Sequence, residues 1–145
     1  MSEYRKNTTN CTDKDCLIEA LVEMGYKREV IEVHDVPQQL FDFQGHKTRY
    51  TDSSGDKANI IVRRQHVGGA ANDLGFLLNK EGKYDAIISQ YDSSKHNAKW
   101  LAGLKGNYSV SNLVKTGKAQ GLKFLGKKVE NGKVRLQWLD PRVKA

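Results

Sequence analysis

Cysteine and histidine are the residues here with the widest chemical range, and their spacing supports no metal centre. Cys11 and Cys16 lie five positions apart, whereas structural zinc sites usually combine two closely spaced ligand pairs. The four histidines are scattered along the chain: His34, His46, His66 and His96. A site built from Cys11, Cys16 and His34 or His46 stays open as an alternative. The favoured interpretation packs Cys16 in the first helix and leaves Cys11 as a loop thiol.

Residues for covalent catalysis are also lacking. The sequence contains no Gly-x-Ser-x-Gly elbow and no cysteine beside a base in a recognisable motif. We therefore predict a protein that is not an enzyme, with no catalytic residue, no metal and no cofactor.

One segment combines small residues with arginines. Arg63 and Arg64 precede the glycine-rich stretch Gly68–Gly75, where small side chains would let an anion approach the backbone. This predicts a possible secondary anion site at Arg63 and Arg64. The favoured alternative is a sharp turn, in which Asn72 or Asp73 bonds to backbone amides and Asp73 pairs with an arginine.

Positive charge is concentrated in the second half of the chain. Residues 1–92 carry 12 Lys and Arg against 15 Asp and Glu, whereas residues 93–145 carry 12 against 2. A one-signed stretch of this length suits an anionic partner, unless it folds against the acidic half. The candidate nucleic-acid or anion-binding residues are Lys95, Lys99, Lys115, Lys118, Lys123, Lys127, Lys128, Lys133 and Arg135.

Two partners fit this charge. Lysines neutralise phosphates without sequence preference, so the first hypothesis is a domain that binds nucleic acid, with RNA or single strands favoured. An exposed aromatic could stack on a base; Trp100 is expected to be buried and Trp138, beyond the last strand, to be free. The alternative is an adaptor or structural subunit that docks an acidic protein.

The elements that must position these residues follow from periodicity and turn signals. Apolar residues at helical spacing predict a helix over 13–24 and a helical region from Asp92 or Ser93 to Gly121, which Gly103 and Gly106 weaken. Hairpins are predicted at 79–82 and at Asn131-Gly132. Strands are predicted over residues 30–34, 40–43, 58–64, 74–78, 84–90 and 122–125, and the stretch 128–136 is predicted to form the hairpin around Asn131-Gly132.

This order predicts a single α+β domain over residues 1–145, with a mainly antiparallel sheet, two helical regions on one face and a C-terminal β-hairpin. The length of 145 residues and a mean hydropathy of −0.66 suit one globular domain. Because no apolar run could span a membrane or act as a signal peptide, we expect a cytoplasmic protein without membrane contact.

Several segments together resemble the domain of unknown function 1257 family, which includes the thirty-fifth hypothetical chloroplast reading frame of cyanobacteria, plastids and phages. The matching segments are Ile31–His34, Leu40–Gly45, Ile60–Arg64, Val67–Phe76, Tyr84–Asp92, Trp100-Leu101, Gly121-Leu122 and Glu130–Leu136. The resemblance covers about residues 13–136.

The resemblance implies a small domain without an established activity. It suggests an AAA-type ATPase as a partner, and the plastid stroma or a phage host's cytoplasm as further locations. The family usually has a basic, His-containing helix after the tyrosine that corresponds to Tyr108, where this chain has Ser109–Asn112. A role that depends on that histidine is not expected here.

Overall fold

The computed structural model describes residues 4–46 and 56–143. Its contacts group the chain into two compact units, Met1–Tyr108 and Ser109–Ala145. The helices are α1 (Lys14–Glu23), α2 (Arg64–Val67) and α3 (Ala98–Ala119), with 3-10 turns at Arg28–Val30 and Gln90–Asp92. The strands are β1 (Tyr4–Thr8), β2 (Ile31–Gln39), β3 (Lys57–Val62), β4 (Leu74–Leu78), β5 (Tyr84–Ser89), β6 (Lys123–Glu130) and β7 (Lys133–Leu139).

A five-stranded sheet in the order β1-β5-β4-β3-β2 forms the centre of the first unit. Every pairing in it is antiparallel, and the hairpin predicted at 79–82 joins β4 to β5. The edge strand β1 was not predicted, because Tyr4 is its one large apolar residue and its register depends on β5. The strand predicted at 40–43 is wrong: only Phe41 forms an isolated bridge there.

Both α1 and the beginning of α3 pack on one face of this sheet. Leu17 and Leu21 of α1 and Leu104 of α3 are fully buried against Ile60 and Phe76. Asp13 caps α1 by accepting a hydrogen bond from the Cys16 amide at 3.0 Å, which satisfies one of the free donors at the helix start. The α+β class and the mainly antiparallel sheet are therefore confirmed.

The helix α3 runs without interruption from Ala98 to Ala119. It begins later than predicted, because the Asn97 side chain caps it by accepting from the Trp100 amide at 2.9 Å. Gly103 and Gly106 do not break it, and the cost of about 1 kcal/mol for each glycine is offset by the buried side chains nearby. Its last turns belong to the second unit.

The second unit consists of those turns and the β6–β7 hairpin. The predicted turn is confirmed: Asn131 and Gly132 have φ values of 51° and 74°, as a two-residue hairpin loop requires. Phe124 and Trp138 pair across the strands with ring centroids 5.2 Å apart.

In the described part of the chain, no helix has the length and apolar character needed to cross a bilayer.

Candidate functional site

The register of the β6–β7 hairpin separates its side chains into two faces. Residues paired across an antiparallel ladder share a face, and alternate residues of one strand share it too. Lys128 pairs with Arg135, Glu130 with Lys133 and Lys123 with Leu139. We call the surface formed by Lys123, Lys128, Lys133 and Arg135 the basic face. All four side chains are exposed.

Glu130 lies within the basic face and is its one carboxylate. Its Oε1 lies 2.9 Å from Nζ of Lys128, and its Oε2 lies 3.9 Å from Nε of Arg135. These pairs are exposed, so each contributes little to stability. They do hold the two cations beside each other. The basic face therefore carries four positive charges against one negative charge.

Lys127 lies on the opposite face of the hairpin, paired with Leu136. That face also carries Phe124 and Trp138, and it ends at the turn with the cross-strand pair Val129 and Val134. The two valines are 66% and 46% exposed. The sequence neighbours Lys127 and Lys128 thus lie on different surfaces, because successive side chains of a strand alternate.

Lys115 and Lys118 are exposed on the last turns of α3. The half-buried or buried residues on these turns are Val110, Ser111, Val114 and Gly117, and Gly117 meets the ring of Trp138. Lys115 is about 160° around the helix from Gly117 at 100° per residue. Lys115 therefore lies on the side of α3 opposite the contact with Trp138, whereas Lys118 is about 100° from Gly117 and lies beside that contact; the hairpin's basic face points away from α3. The second unit does not bring these lysines together.

Lys95 and Lys99 belong to the first unit. Nζ of Lys95 donates a hydrogen bond to the carbonyl of Gly68 at 3.0 Å, which ties the segment before α3 to the glycine-rich loop. Lys99 is exposed in the first turn of α3.

Arg63 forms ion pairs with two carboxylates. Its Nε lies 2.9 Å from Oε2 of Glu32, and its Nη1 lies 2.9 Å from Oδ2 of Asp73. Burial raises the pKa of Glu32, but the hydrogen bonds from Arg63 and His34 outweigh this and hold that pKa below its ordinary value. The charge of Arg63 is therefore neutralised within the protein.

The glycine-rich segment forms a turn held by its polar side chains. Oδ1 of Asp73 accepts from the Arg64 amide at 2.7 Å, and Oδ2 accepts from the Phe41 amide at 2.8 Å. Oδ1 of Asn72 accepts from the Phe43 amide at 2.8 Å. Nη1 of Arg64 donates to the carbonyl of Asp42 at 2.7 Å. The structure thus has the predicted alternative, a turn in which Asn72 and Asp73 bind backbone amides.

Both cysteines are free thiols in the first unit, and both are buried. Cys16 packs in α1 as predicted, but Cys11 is not a loop thiol. It is 1% exposed in the core because the chain turns inward after β1, and burial raises its pKa. Within residues 4–46 and 56–143, no three or more His, Cys, Asp or Glu residues are grouped so that they could hold a metal ion.

The expectation that Trp138 is free is wrong. Trp138 lies inside β7, half-buried between Phe124 and Gly117. Trp100 is partly buried, with its ring 4.5 Å from the ring of His96. No aromatic ring of the described hairpin lies on the basic face, so that face offers charge without base stacking. The sequence also missed Glu130 as a partner of Lys128, although its position beside the Asn131-Gly132 turn was a usable signal.

Comparison with known proteins gives one family. A family model described as "Protein of unknown function (DUF1257)" matches residues 20–137. No curated protein and no solved structure matches the chain.

Proposed function

We propose that this chain, which belongs to the DUF1257 family of proteins of unknown function, is a non-enzymatic domain that binds nucleic acid through the basic face of its C-terminal hairpin. The observation that carries this is the shared orientation of Lys123, Lys128, Lys133 and Arg135. We place it in the cytoplasm or an equivalent reducing compartment, which its two free thiols suit.

Charge and spacing favour the phosphate backbone of a single strand. Alternate residues of a strand lie about 7 Å apart, so Lys133 and Arg135 can each take a different phosphate of a flexible chain. Lysine and arginine contacts to phosphates position a nucleic acid but do not read its sequence. RNA and DNA strands of mixed sequence are therefore expected to bind with similar affinity.

The test is fluorescence anisotropy with labelled single strands and a duplex at several salt concentrations. Three or four phosphate contacts at a slope of about −0.7 each predict a slope of about −2 to −3 in log affinity against log salt. The double variant Lys128→Gln with Arg135→Gln should weaken binding to all sequences and flatten that slope by about 1.4.

The matched control is Lys115→Gln, which removes one charge from the side of α3 opposite the contact of Gly117 with Trp138. It should change the slope much less than either hairpin substitution. If the control and Lys128→Gln change the salt slope equally, the basic face is not the binding interface. Absence of binding at low salt would exclude nucleic acid as the ligand.

The second candidate is an adaptor that docks an acidic protein surface, for which the resemblance suggests an AAA-type ATPase. The exposed cross-strand pair Val129 and Val134 favours it, because exposed apolar side chains beside charge are common at protein interfaces. Val129→Thr with Val134→Thr keeps β-branched side chains in the strands. This variant should abolish docking of a protein partner and leave nucleic-acid binding unchanged.

A further inference from the structure

The strand β7 has an edge that no other strand of the described residues continues. The hairpin forms a sheet of two strands, β6 and β7. Within residues 4–46 and 56–143, the backbone hydrogen bonds of β7 go to β6. In an antiparallel ladder, alternate residues direct their N–H and C=O groups to opposite sides of the strand. The outward-directed backbone groups of β7 are therefore available to another strand.

The two edges of this hairpin differ in how they resist pairing. Proteins protect edge strands with bulges, prolines and charged side chains, lysine above all. The β6 strand has an irregularity between Phe124 and Gly126, where Gly126 has a φ of 151°, and it carries three lysines. The extra residue of that irregularity belongs to β6. The β7 strand contains neither proline nor glycine, so its edge is the one open to a further strand.

The side chains of β7 are mostly exposed, apolar ones included. Val134 and Leu139 are 46% and 47% exposed, and Leu136 and Trp138 are half-buried. By strand alternation, Val134, Leu136 and Trp138 lie on the face opposite the basic face. A two-stranded sheet is marginally stable by itself, and further strands with a shared apolar face stabilise it. The hairpin thus has both the backbone groups and the apolar surface that a further strand would use.

We propose that β7 pairs antiparallel with β7 of a second copy of this chain, about a two-fold axis at Leu136, to form a four-stranded sheet β6-β7-β7-β6. Leu136 then faces Leu136 of the second copy, and Val134 faces Trp138. Such a contact is self-complementary, as a two-fold dimer requires. Within each hairpin, Val134 already pairs with Val129. Trp138 likewise pairs with Phe124, so the new contact joins two apolar pairs into one row across the sheet.

Charge selects this register. The axis at the middle of β7 sets Arg135 opposite Gln137 of the second copy. It also sets Lys133 opposite Leu139, so both cations of the strand face uncharged side chains. An axis at Arg135 would set two arginines against each other, and an axis at Val134 would set Lys133 against Arg135. Like charges directly opposite destabilise a sheet. An axis at Gln137 or beyond would pair fewer of the seven residues of the strand.

The net charge of +7 on each copy opposes association. Salt screens this repulsion, so the dimer should be favoured at higher ionic strength. Nucleic-acid binding has the opposite salt dependence. Because paired residues share a face, both basic faces lie on the same side of the four-stranded sheet. The pairing itself does not rest on nucleic-acid binding, so the two proposals fail separately.

The experiment is sedimentation equilibrium of the full chain without nucleic acid, from micromolar to millimolar concentration and at low and high salt. A reversible equilibrium between monomer and dimer is expected, with the dimer stronger at high salt. Amide hydrogen exchange followed by NMR locates the contact, because the β7 amides should exchange more slowly as the protein concentration rises. A chain that stays monomeric over this range, or a dimer that leaves the exchange of β7 unchanged, would overturn the proposal.

Substitutions of Gln137, which is exposed, test the register. Gln137→Arg sets a cation opposite Arg135 of the second copy, and the symmetry introduces this repulsion twice. The dimer should therefore weaken by about 10-fold, whereas Gln137→Glu should strengthen it by a similar factor. The matched controls, Gln120→Arg and Gln120→Glu, make the same charge changes at an exposed residue outside β7 and should have little effect. Equal effects at both positions, or no strengthening by Gln137→Glu, would overturn the pairing of β7 in this register.

Discussion

Gly117 of α3 lies against the outer edge of the six-membered ring of Trp138. A Cβ placed on Gly117 would lie 2.7 Å from Cζ3 and 2.9 Å from Cζ2 of that ring, closer than packed carbon atoms approach. The second unit therefore depends on glycine at a position where helix propensity alone would favour alanine.

Gly117→Ala is accordingly expected to destabilise the second unit. Overpacking costs about 1–3 kcal/mol, which exceeds the gain of about 1 kcal/mol from replacing a helical glycine. Hydrogen exchange of the β7 amides should become faster. The control is Gly106→Ala in the same helix, where nothing described lies within 4 Å of the new Cβ. This variant should be more stable than the parent; a loss of stability in both would contradict the role of Trp138.

Asp73→Ala is expected to lower the free energy of unfolding by about 3 kcal/mol. The Asp73 side chain is 1% exposed and pairs with Arg63, and its loss leaves Arg63 and two backbone amides without this partner. Urea denaturation followed by circular dichroism measures the change. Glu81→Ala, which removes a largely exposed pair with Lys83, should change stability by less than about 1 kcal/mol. Similar losses in both variants would show that Asp73 is not central.

His96 is expected to make the first unit sensitive to acid. Burial lowers its pKa from 6.5 to about 4, and the nearby charge of Asp92 opposes this only partly. The unfolded chain therefore takes up a proton at a pH where the folded chain does not. The contribution of neutral His96 to the free energy of unfolding is complete above pH 6.5 and is lost as the pH falls towards 4.

Unfolding measured across this range should show a loss of about 3 kcal/mol that His96→Asn removes. The variant gives up the bond to Tyr26, so only the pH dependence, not the absolute stability, is compared. His66→Asn changes an exposed histidine and should keep the parent's pH profile. An unchanged profile in His96→Asn would contradict the prediction.

Glu130→Gln is expected to strengthen nucleic-acid binding. It removes the carboxylate that pairs with Lys128 and lies near Arg135. In the variant, neither cation has to give up an ion pair within the protein before it binds a phosphate. The salt slope should become steeper by up to about 0.7, one additional single-strand contact. Asp140→Asn, which affects the pair with Arg142, is the control for a general change in charge. Weaker binding by Glu130→Gln would count against the basic face as the interface.

Local sequence signals were sufficient for most of the elements. Helix α1 has its capping residue and helical apolar spacing in the sequence, and the Asn131-Gly132 turn carries the conformational preference that joins β6 to β7. The α+β class follows from their order. The edge strand β1 was missed because Tyr4 is its one large apolar residue, which leaves little pattern in the sequence. Its pairing with β5, far along the chain, stabilises it.

The placement of charge was decided by tertiary structure. The sequence shows that Lys127 and Lys128 are adjacent and that Lys115 and Lys118 are near them, but strand alternation and the packing of α3 against Trp138 direct these lysines to different surfaces. The same holds for Arg63, whose carboxylate partners are Glu32 of β2 and Asp73 of the segment before β4. A composition records how many charges a chain has, whereas their pairing depends on distances between residues remote in sequence, and only folding sets those distances.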